Sequence, residues 1–193
     1  MQNRTVGIIG TGKIGAHLAR ILHGFGCNIL AYDPIQNPDC LALGIRYVSP
    51  DSLYEQSHII SLHCPLTPDT RHLIDATAIG KMQHGVMLIN TSRGAVIDTH
   101  AAINGLKSGR IGAMGLDVYE EESDLFFQNL SDHVLQDDVF ARLLTFPNVL
   151  ITGHQAFFTQ EAMQAIAQAT IENLTHFDTI GKPRYEVSIE RLA

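Results

Sequence analysis

Four polar side chains follow apolar stretches of the sequence, at positions where chemistry could take place. They are His63, Arg93, Asp117 and His154. Ligands of an open α/β sheet bind beyond the carboxyl ends of its strands, so residues that follow buried strands are the first to consider. An arginine guanidinium can hold a carboxylate through two hydrogen bonds. A histidine titrates near neutrality, so it can give a proton to a developing alkoxide or take one from an alcohol.

Both residue types also have ordinary interpretations. Arg93 could pair with an acid at the surface, and His154 is one of ten histidines. We expect six others, in predicted helices or turns, to be solvated: His17, His23, His72, His84, His100 and His176. Position alone therefore leaves the catalytic and the ordinary interpretations open.

A histidine that transfers protons works better beside a carboxylate, because the negative charge favours the imidazolium and orients the ring. The candidate carboxylates follow one apolar stretch and are Asp117, Glu120, Glu121 and Glu122. The pattern does not choose among them, since three consecutive glutamates could equally form a solvated acidic face.

The elements that must position these residues begin with residues 5–22. An apolar run leads into the glycine-rich segment Gly10-Thr11-Gly12-Lys13-Ile14-Gly15, after which apolar residues recur at helical spacing at positions 14, 18, 21 and 22. Gly10 suits a tight turn, Gly12 a close approach to a pyrophosphate, and Gly15 the packing of helix on strand. The helix start offers free N–H groups and a positive dipole end to phosphates. This strand, turn and helix predict dinucleotide binding.

A second predicted strand, residues 28–32, ends at Asp33. That spacing from the glycine turn is close to the one at which an acid meets the adenosine ribose. A carboxylate there accepts a hydrogen bond from the 2′-hydroxyl and repels a 2′-phosphate, so the sequence predicts NAD rather than NADP.

Strand and helix patterns alternate along the rest of the chain. Further strands are predicted at 45–48, 58–63, 85–90, 111–118 and 149–152, and helices at 49–57, 72–82, 98–107, 139–144 and 159–177. Asp98 is the expected N-cap of its helix. This alternation predicts an α/β fold of the Rossmann type, with a doubly wound, mostly parallel sheet and helices on both faces.

Composition excludes several classes of protein. A formal charge of −7 over 193 residues argues against a nucleic-acid partner. The apolar runs are too short to span a membrane. Three cysteines without paired spacing fit a reducing, cytoplasmic setting. No tetrahedral metal-ligand set and no GxSxG elbow is found, so we expect neither a metal site nor hydrolase chemistry.

Several motifs together resemble the D-isomer-specific 2-hydroxyacid dehydrogenases over nearly the whole chain. They are GTGKIG, Asp33, HCPLTPDTRHLI, NTSRGAVID, GLDVYEEE and GHQAF, in that order. The DLFF, QDDVF and GHQAF segments look most like the fermentative D-lactate dehydrogenases of that family. The resemblance implies hydride transfer between NADH and a 2-oxo acid such as pyruvate.

The resemblance also implies roles for residues. Arg93 would bind the substrate carboxylate, Glu122 would keep the histidine protonated and aligned, and His154 would be the acid/base. The implied NAD site consists of Gly10, Gly12, Lys13, Ile14, Gly15, Asp33, Cys64, Pro65, Thr70, Thr91, Ser92, Arg93 and Asp117.

Family members carry a substrate lobe before the NAD-binding domain, and we expect this chain to lack it. Residues 1–155 would form the NAD-binding domain, and residues 156–193 a C-terminal helix and tail that would return to the absent lobe. An uncovered apolar face on that helix could bind a partner chain. The resemblance further implies a homodimer formed through the coenzyme domain.

Two functions follow as alternatives: a D-2-hydroxyacid dehydrogenase, or a truncated module that binds NAD without turnover. A transcriptional regulator that senses NAD is disfavoured by the acidic charge and by the lack of a helix-turn-helix segment.

Overall fold

A single parallel sheet organises the chain. The computed structural model describes residues 1–122, 125–126 and 135–186. Within these residues seven strands form one sheet in the order β3-β2-β1-β4-β5-β6-β7, and every neighbouring pair is parallel. The strands are β1 Thr5–Ile9, β2 Asn28–Tyr32, β3 Arg46–Tyr47, β4 Ile59–Leu62, β5 Val86–Asn90, β6 Ile111–Leu116 and β7 Val149–Ile151. Because the sheet is parallel, all its carboxyl ends lie at one edge.

Helices connect the strands. They are α1 Lys13–Gly24, α2 Pro38–Ala42, α3 Pro50–Gln56, α4 Ala76–Lys81, α5 Thr99–Lys107, α6 Asp138–Leu144 and α7 Gln160–Ile180, with a short 3-10 turn at Gly94–Val96. Side-chain caps begin most of them. Asp98, for example, accepts from the Ala101 N–H at 3.0 Å, as expected for an N-cap.

Both faces of the sheet are buried, in two clusters. Val6 and Ile8 of β1 pack with Ala19 and Leu22 of α1, whereas the intervening side chains of the central strands face the larger cluster built with α3, α4 and α5. Successive residues of a strand point to opposite faces, so a strand covered on both sides is apolar throughout. The predicted doubly wound α/β fold is confirmed, although several elements differ from their predicted bounds at the ends.

The predicted helix at 72–82 is wrong in its first part. Helix α4 begins only at Ala76, where Asp75 caps it by accepting from the Ala78 N–H at 2.8 Å. Before it, His72 has a positive φ of 52° and Ile74 forms a parallel bridge with Ile97. The backbone of this segment bonds to a neighbouring loop and not to the next helical turn.

Helix α1 packs on the sheet largely through small residues. Gly15, Ala19 and Leu22 are buried, while Ile14 and Ile21 are 68% and 56% exposed. Gly15 and Ala19 let this helix approach the sheet closely, and Leu22 adds a large apolar side chain to the contact face. Ile14 is thereby left exposed in the first turn of the helix.

The chain separates into two compact units, Met1–His154 and Gln155–Ala193. The second unit contains α7, which Thr159 caps at its start and Gly181, with φ 77°, ends. Apolar side chains of α7 are between 41% and 67% exposed: Met163, Ile166, Ile171, Leu174, Phe177 and Ile180. In the described residues, no helix is both long and apolar enough to cross a membrane.

Candidate active site

His154 and Glu122 form a hydrogen-bonded pair at the carboxyl edge of the sheet. The Nδ1 atom of His154 lies 3.0 Å from Oε1 of Glu122, and the two side chains are 28% and 19% exposed. His154 follows β7, and Glu122 lies in the loop after β6, which is the neighbouring strand. The pair therefore combines a proton-transfer group with a carboxylate that orients it and leaves part of the ring accessible.

Backbone hydrogen bonds fix the position of His154. Its φ is 54°, a left-handed conformation that is uncommon outside glycine, although asparagine, aspartate and histidine adopt it more often than other residues. The His154 N–H donates to the carbonyl of Asp117 at 2.7 Å and to that of Thr152 at 3.0 Å. The Thr152 hydroxyl in turn donates to the buried carboxylate of Asp117 at 2.5 Å. Asp117 thus joins the loop after β6 to the loop after β7.

The three consecutive glutamates have different surroundings. Glu122 accepts from the Tyr119 N–H at 3.2 Å through Oε2, which leaves Oε1 for His154. Glu120 pairs with His72 at 2.6 Å, and Glu121 is exposed. The structure therefore places Glu122 beside the imidazole of His154. Asp124 and Phe127 of the same acidic loop lie outside the described residues.

Arg93 lies in the turn after β5, next to β6 in the sheet. Buried Asn90 builds this turn, because its amide donates to the Arg93 carbonyl at 2.9 Å and accepts from the N–H and hydroxyl of Ser92. The Arg93 guanidinium is exposed, and Nη1 donates to the Ser92 carbonyl at 2.7 Å. Arg93, Glu122 and His154 thus follow three adjacent strands at one edge, with the guanidinium held at its own turn.

Gly94 joins the Arg93 turn to the loop of Glu122. A Cβ atom built on Gly94 would overlap the carbonyl carbon and oxygen of Tyr119. The two loops therefore touch through their backbones, and the contact requires a residue without a side chain. No local pattern in the sequence indicates this role of Gly94.

The glycine turn lies at the same edge, between β1 and α1. Gly10 has a φ of 91°, and a Cβ there would lie 2.6 Å from the Cys64 nitrogen. A Cβ on Gly15 would overlap the carbonyl oxygen of Gly10, whereas one on Gly12 meets nothing within 4 Å. The space over Gly12 and the exposed side chains of Lys13 and Ile14 fit the close approach of a pyrophosphate to the start of α1.

Asp33, at the end of β2, faces this turn. Its Oδ2 accepts from the backbone N–H of Thr11 at 2.6 Å, and its Oδ1 from that of Ile35 at 2.9 Å. The carboxylate is therefore positioned beside the glycine turn.

The loop after β4 supplies the remaining sequence-predicted positions on this side. The Thr70 hydroxyl donates to the Pro65 carbonyl at 2.6 Å and closes the loop. Burial raises the pKa of the Cys64 thiol and lowers the pKa of His63, whose Nε2 lies 2.8 Å from the Ser61 hydroxyl. Both residues lie beside Gly10, and their side chains are therefore neutral. Thr91, by contrast, is exposed at the start of the Arg93 turn.

Sequence reasoning missed a cluster that connects three of these loops. The side chain of His72, which we expected to be solvated, pairs with Glu120. The backbone N–H of His72 donates to the Ala95 carbonyl at 2.8 Å. The Thr99 hydroxyl donates to Glu120 at 3.2 Å. A histidine and an acid 48 positions apart carry no local signal, so the pattern could not reveal this contact. Among the described residues, no group of three or more His, Cys, Asp or Glu could hold a metal ion.

Comparison with known proteins places this geometry in context. Residues 1–156 match the family model of the D-isomer specific 2-hydroxyacid dehydrogenase, NAD binding domain. A 2-hydroxyacid dehydrogenase homolog of Haemophilus influenzae is 58% identical over 90% of this chain and 53% of its own length. The D-lactate dehydrogenase of Escherichia coli is 53% identical over 92% of this chain and 54% of its own length.

A solved structure of a pyruvate reductase of Chlamydomonas reinhardtii has a TM-score of 0.92 and 46% identity, covering 96% of this chain and 56% of that one. The chain thus spans about half the length of the relatives it matches.

Proposed function

The chain belongs to the D-isomer specific 2-hydroxyacid dehydrogenase family through its NAD-binding domain, and on that premise we propose that it serves D-lactate dehydrogenase chemistry. The reaction is transfer of a hydride from NADH to the carbonyl carbon of a 2-oxo acid, first of all pyruvate, with a proton added to the oxygen. The observation that carries the proposal is the contact of 3.0 Å between His154 and Glu122, at the sheet edge that also bears the glycine turn.

In this proposal His154 protonates the carbonyl oxygen as it gains negative charge. Glu122 holds the ring through Nδ1 at 3.0 Å, and the proposal assigns the proton transfer to Nε2. The exposed Arg93 guanidinium takes the substrate carboxylate through two hydrogen bonds. Fixing the carboxylate makes the carbonyl present one face to the coenzyme, so one stereoisomer of the alcohol forms.

The coenzyme would lie across the carboxyl edge of the sheet. NADH supplies the hydride, and the protein supplies placement and charge. Asp33 would accept from the ribose hydroxyls and repel a 2′-phosphate. The residues proposed to line this site are Gly10, Gly12, Lys13, Ile14, Gly15, Asp33, Cys64, Pro65, Thr70, Thr91, Ser92, Arg93 and Asp117. We also propose that residues 1–155 act as the NAD-binding domain and that residues 156–193 reach towards a substrate lobe.

A second candidate function is NAD binding without turnover, which the coverage of about half of each relative favours for the chain on its own. An assay of the purified chain with NADH and pyruvate distinguishes the two functions. Steady loss of the NADH absorbance supports turnover, whereas binding without loss supports the second function. In a matched assay, the chain is fused after the N-terminal half of the Escherichia coli D-lactate dehydrogenase. We expect this fusion to oxidise NADH with pyruvate, and binding without turnover there would contradict the dehydrogenase proposal.

We further propose a cytoplasmic homodimer. The three free cysteines, two of them buried, fit a reducing compartment. Leu150 on β7, a strand that ends the described sheet, is 69% exposed, and Leu144 on α6 is 57% exposed. A strand at the edge of a sheet has backbone groups that can pair with another chain, and an exposed apolar side chain on it favours such a contact.

Sedimentation velocity should therefore find a species of twice the 21.2 kDa of one chain. Replacing exposed Leu150 with lysine should shift the population towards monomer, because a charge on a covered apolar surface opposes association. A clean monomer of the unaltered chain at micromolar concentration would reject the dimer.

A further inference from the structure

We infer that Tyr47 is a positioning residue of the ribose site, and that its hydroxyl sets how strongly the protein prefers NADH to NADPH. The inference rests on the ribose role proposed above for Asp33. Tyr47 ends β3, which pairs with β2, the strand that carries Asp33 at its end. It lies in a strand of two residues with no motif around it, so the sequence did not mark it.

A directed chain of hydrogen bonds runs from the backbone to the Asp33 carboxylate through Tyr47. The Asn37 N–H donates to the Tyr47 oxygen at 2.9 Å, and the Tyr47 hydroxyl donates to Thr11 Oγ1 at 2.8 Å. The Thr11 hydroxyl donates to Asp33 Oδ2 at 3.2 Å. An N–H can only donate and a carboxylate can only accept, so the direction of the two hydroxyls between them is fixed.

The residues around this series of hydrogen bonds are held from several sides. Thr11 is 2% exposed, and its carbonyl accepts from the Asn37 side chain at 2.8 Å. The Asn37 Oδ1 accepts from the Asp39 N–H at 2.9 Å, so the amide is used at both ends. Three segments are thus joined before any coenzyme arrives: the glycine turn, the loop after β2, and the end of β3. A site ordered in advance loses less entropy when its ligand binds.

The Tyr47 hydroxyl is suited to this task because it remains a donor. Burial raises the pKa of Tyr47, so the phenol is neutral at physiological pH. Without this hydroxyl, the Asn37 N–H loses its acceptor and the Thr11 hydroxyl can rotate away from Asp33. The carboxylate then keeps its charge and its two backbone hydrogen bonds but loses the bond from the Thr11 hydroxyl, so it is held less firmly in one orientation.

Orientation and charge act differently on the two coenzymes. A hydrogen bond from a ribose hydroxyl weakens steeply with misalignment, so NADH binding needs an oriented carboxylate. Repulsion of a 2′-phosphate depends on charge and distance, so it persists when the carboxylate is less ordered. Loss of the Tyr47 hydroxyl should therefore weaken NADH binding more than NADPH binding. A merely structural role would weaken both equally.

The test is calorimetric titration of the purified chain and its Tyr47→Phe variant with NADH and with NADPH. We expect NADH to bind about tenfold more weakly to the variant and NADPH within about twofold. Thr11→Val should have the same effect, Thr11→Ser should behave as the parent, and the Tyr47→Phe/Thr11→Val double variant should lose no more than either single variant. Tyr54→Phe is the matched control, since the buried Tyr54 hydroxyl lies 3.5 Å from the Leu73 carbonyl, in another contact.

Each outcome decides a separate point. Unchanged NADH affinity in Tyr47→Phe, or an equal loss for NADH and NADPH, would overturn the role of Tyr47. If that variant does not fold, as judged by circular dichroism, the comparison of Thr11→Val with Thr11→Ser decides instead. Asp33→Ala tests the premise: unchanged discrimination there would reject the ribose role of Asp33, and with it this inference. Lost discrimination in Asp33→Ala beside an unaffected Tyr47→Phe would reject the Tyr47 role alone.

Discussion

Replacing His154 with asparagine should lower the turnover of pyruvate by about 1000-fold in the fusion with the N-terminal half of the Escherichia coli enzyme. General acid catalysis by a positioned side chain contributes roughly 100-fold to 10,000-fold, and asparagine cannot supply the proton. Asparagine also tolerates a positive φ, so it can adopt the 54° of His154 with little strain. The substitution therefore removes the chemistry and keeps the backbone.

The measurement is kcat for pyruvate reduction, with NADH affinity determined separately by titration. NADH affinity should stay within about twofold, because the proposed role of His154 concerns the substrate oxygen. Glu122→Gln should also lower kcat, by a smaller factor, while the matched variant Glu121→Gln should not, since Glu121 is exposed. A His154→Asn fusion with unaltered kcat would rule out the acid role.

Replacing Gly94 with alanine should destabilise the chain by about 3 kcal/mol and lower its thermal midpoint by roughly 10 °C. The new Cβ would overlap the Tyr119 carbonyl, and both partners are backbone atoms, which cannot rotate away as a flexible side chain would. The loops of Arg93 and Glu122 would have to separate. We therefore expect the fusion to lose turnover as well, even at temperatures where it stays folded.

Gly80→Ala is the matched control. Gly80 lies inside α4, and a Cβ there meets nothing within 4 Å. Alanine in a helix interior is favoured over glycine, so this variant should be more stable by about 0.5–1 kcal/mol. Thermal unfolding of the two variants, followed by circular dichroism, tests the contrast. Equal midpoints for Gly94→Ala and the parent would show that the loops have room to move apart.

The parts of the fold that the sequence predicted correctly are those with local causes. Apolar runs and glycine turns repeat within a few residues, so the strands, the order βαβ and the turn at Gly10 could be predicted. The error at residues 72–82 has a physical reason: Ile74 belongs to a bridge with Ile97, and no local pattern reports a partner 23 positions away.

The candidate site divides in the same way. Position after a strand was enough to propose Arg93 and His154, but the choice of Glu122 among four acids needed the family resemblance. The structure then placed Glu122 at 3.0 Å from His154. The contacts of Gly94 with Tyr119, of His72 with Glu120, and of Tyr47 with Thr11 join segments distant in sequence. They could be found only once the chain was folded.

The loops at the carboxyl edge bond to one another as well as to their own strands. His72 donates to Ala95, Gly94 touches Tyr119, and His154 donates to Asp117, so four consecutive connections of the sheet share backbone contacts. The substrate preference of a related enzyme therefore cannot be transferred to this one by exchanging a single loop. The four loops have to be exchanged together. Chimaeras with one exchanged loop should misfold, whereas a chimaera with all four exchanged should fold.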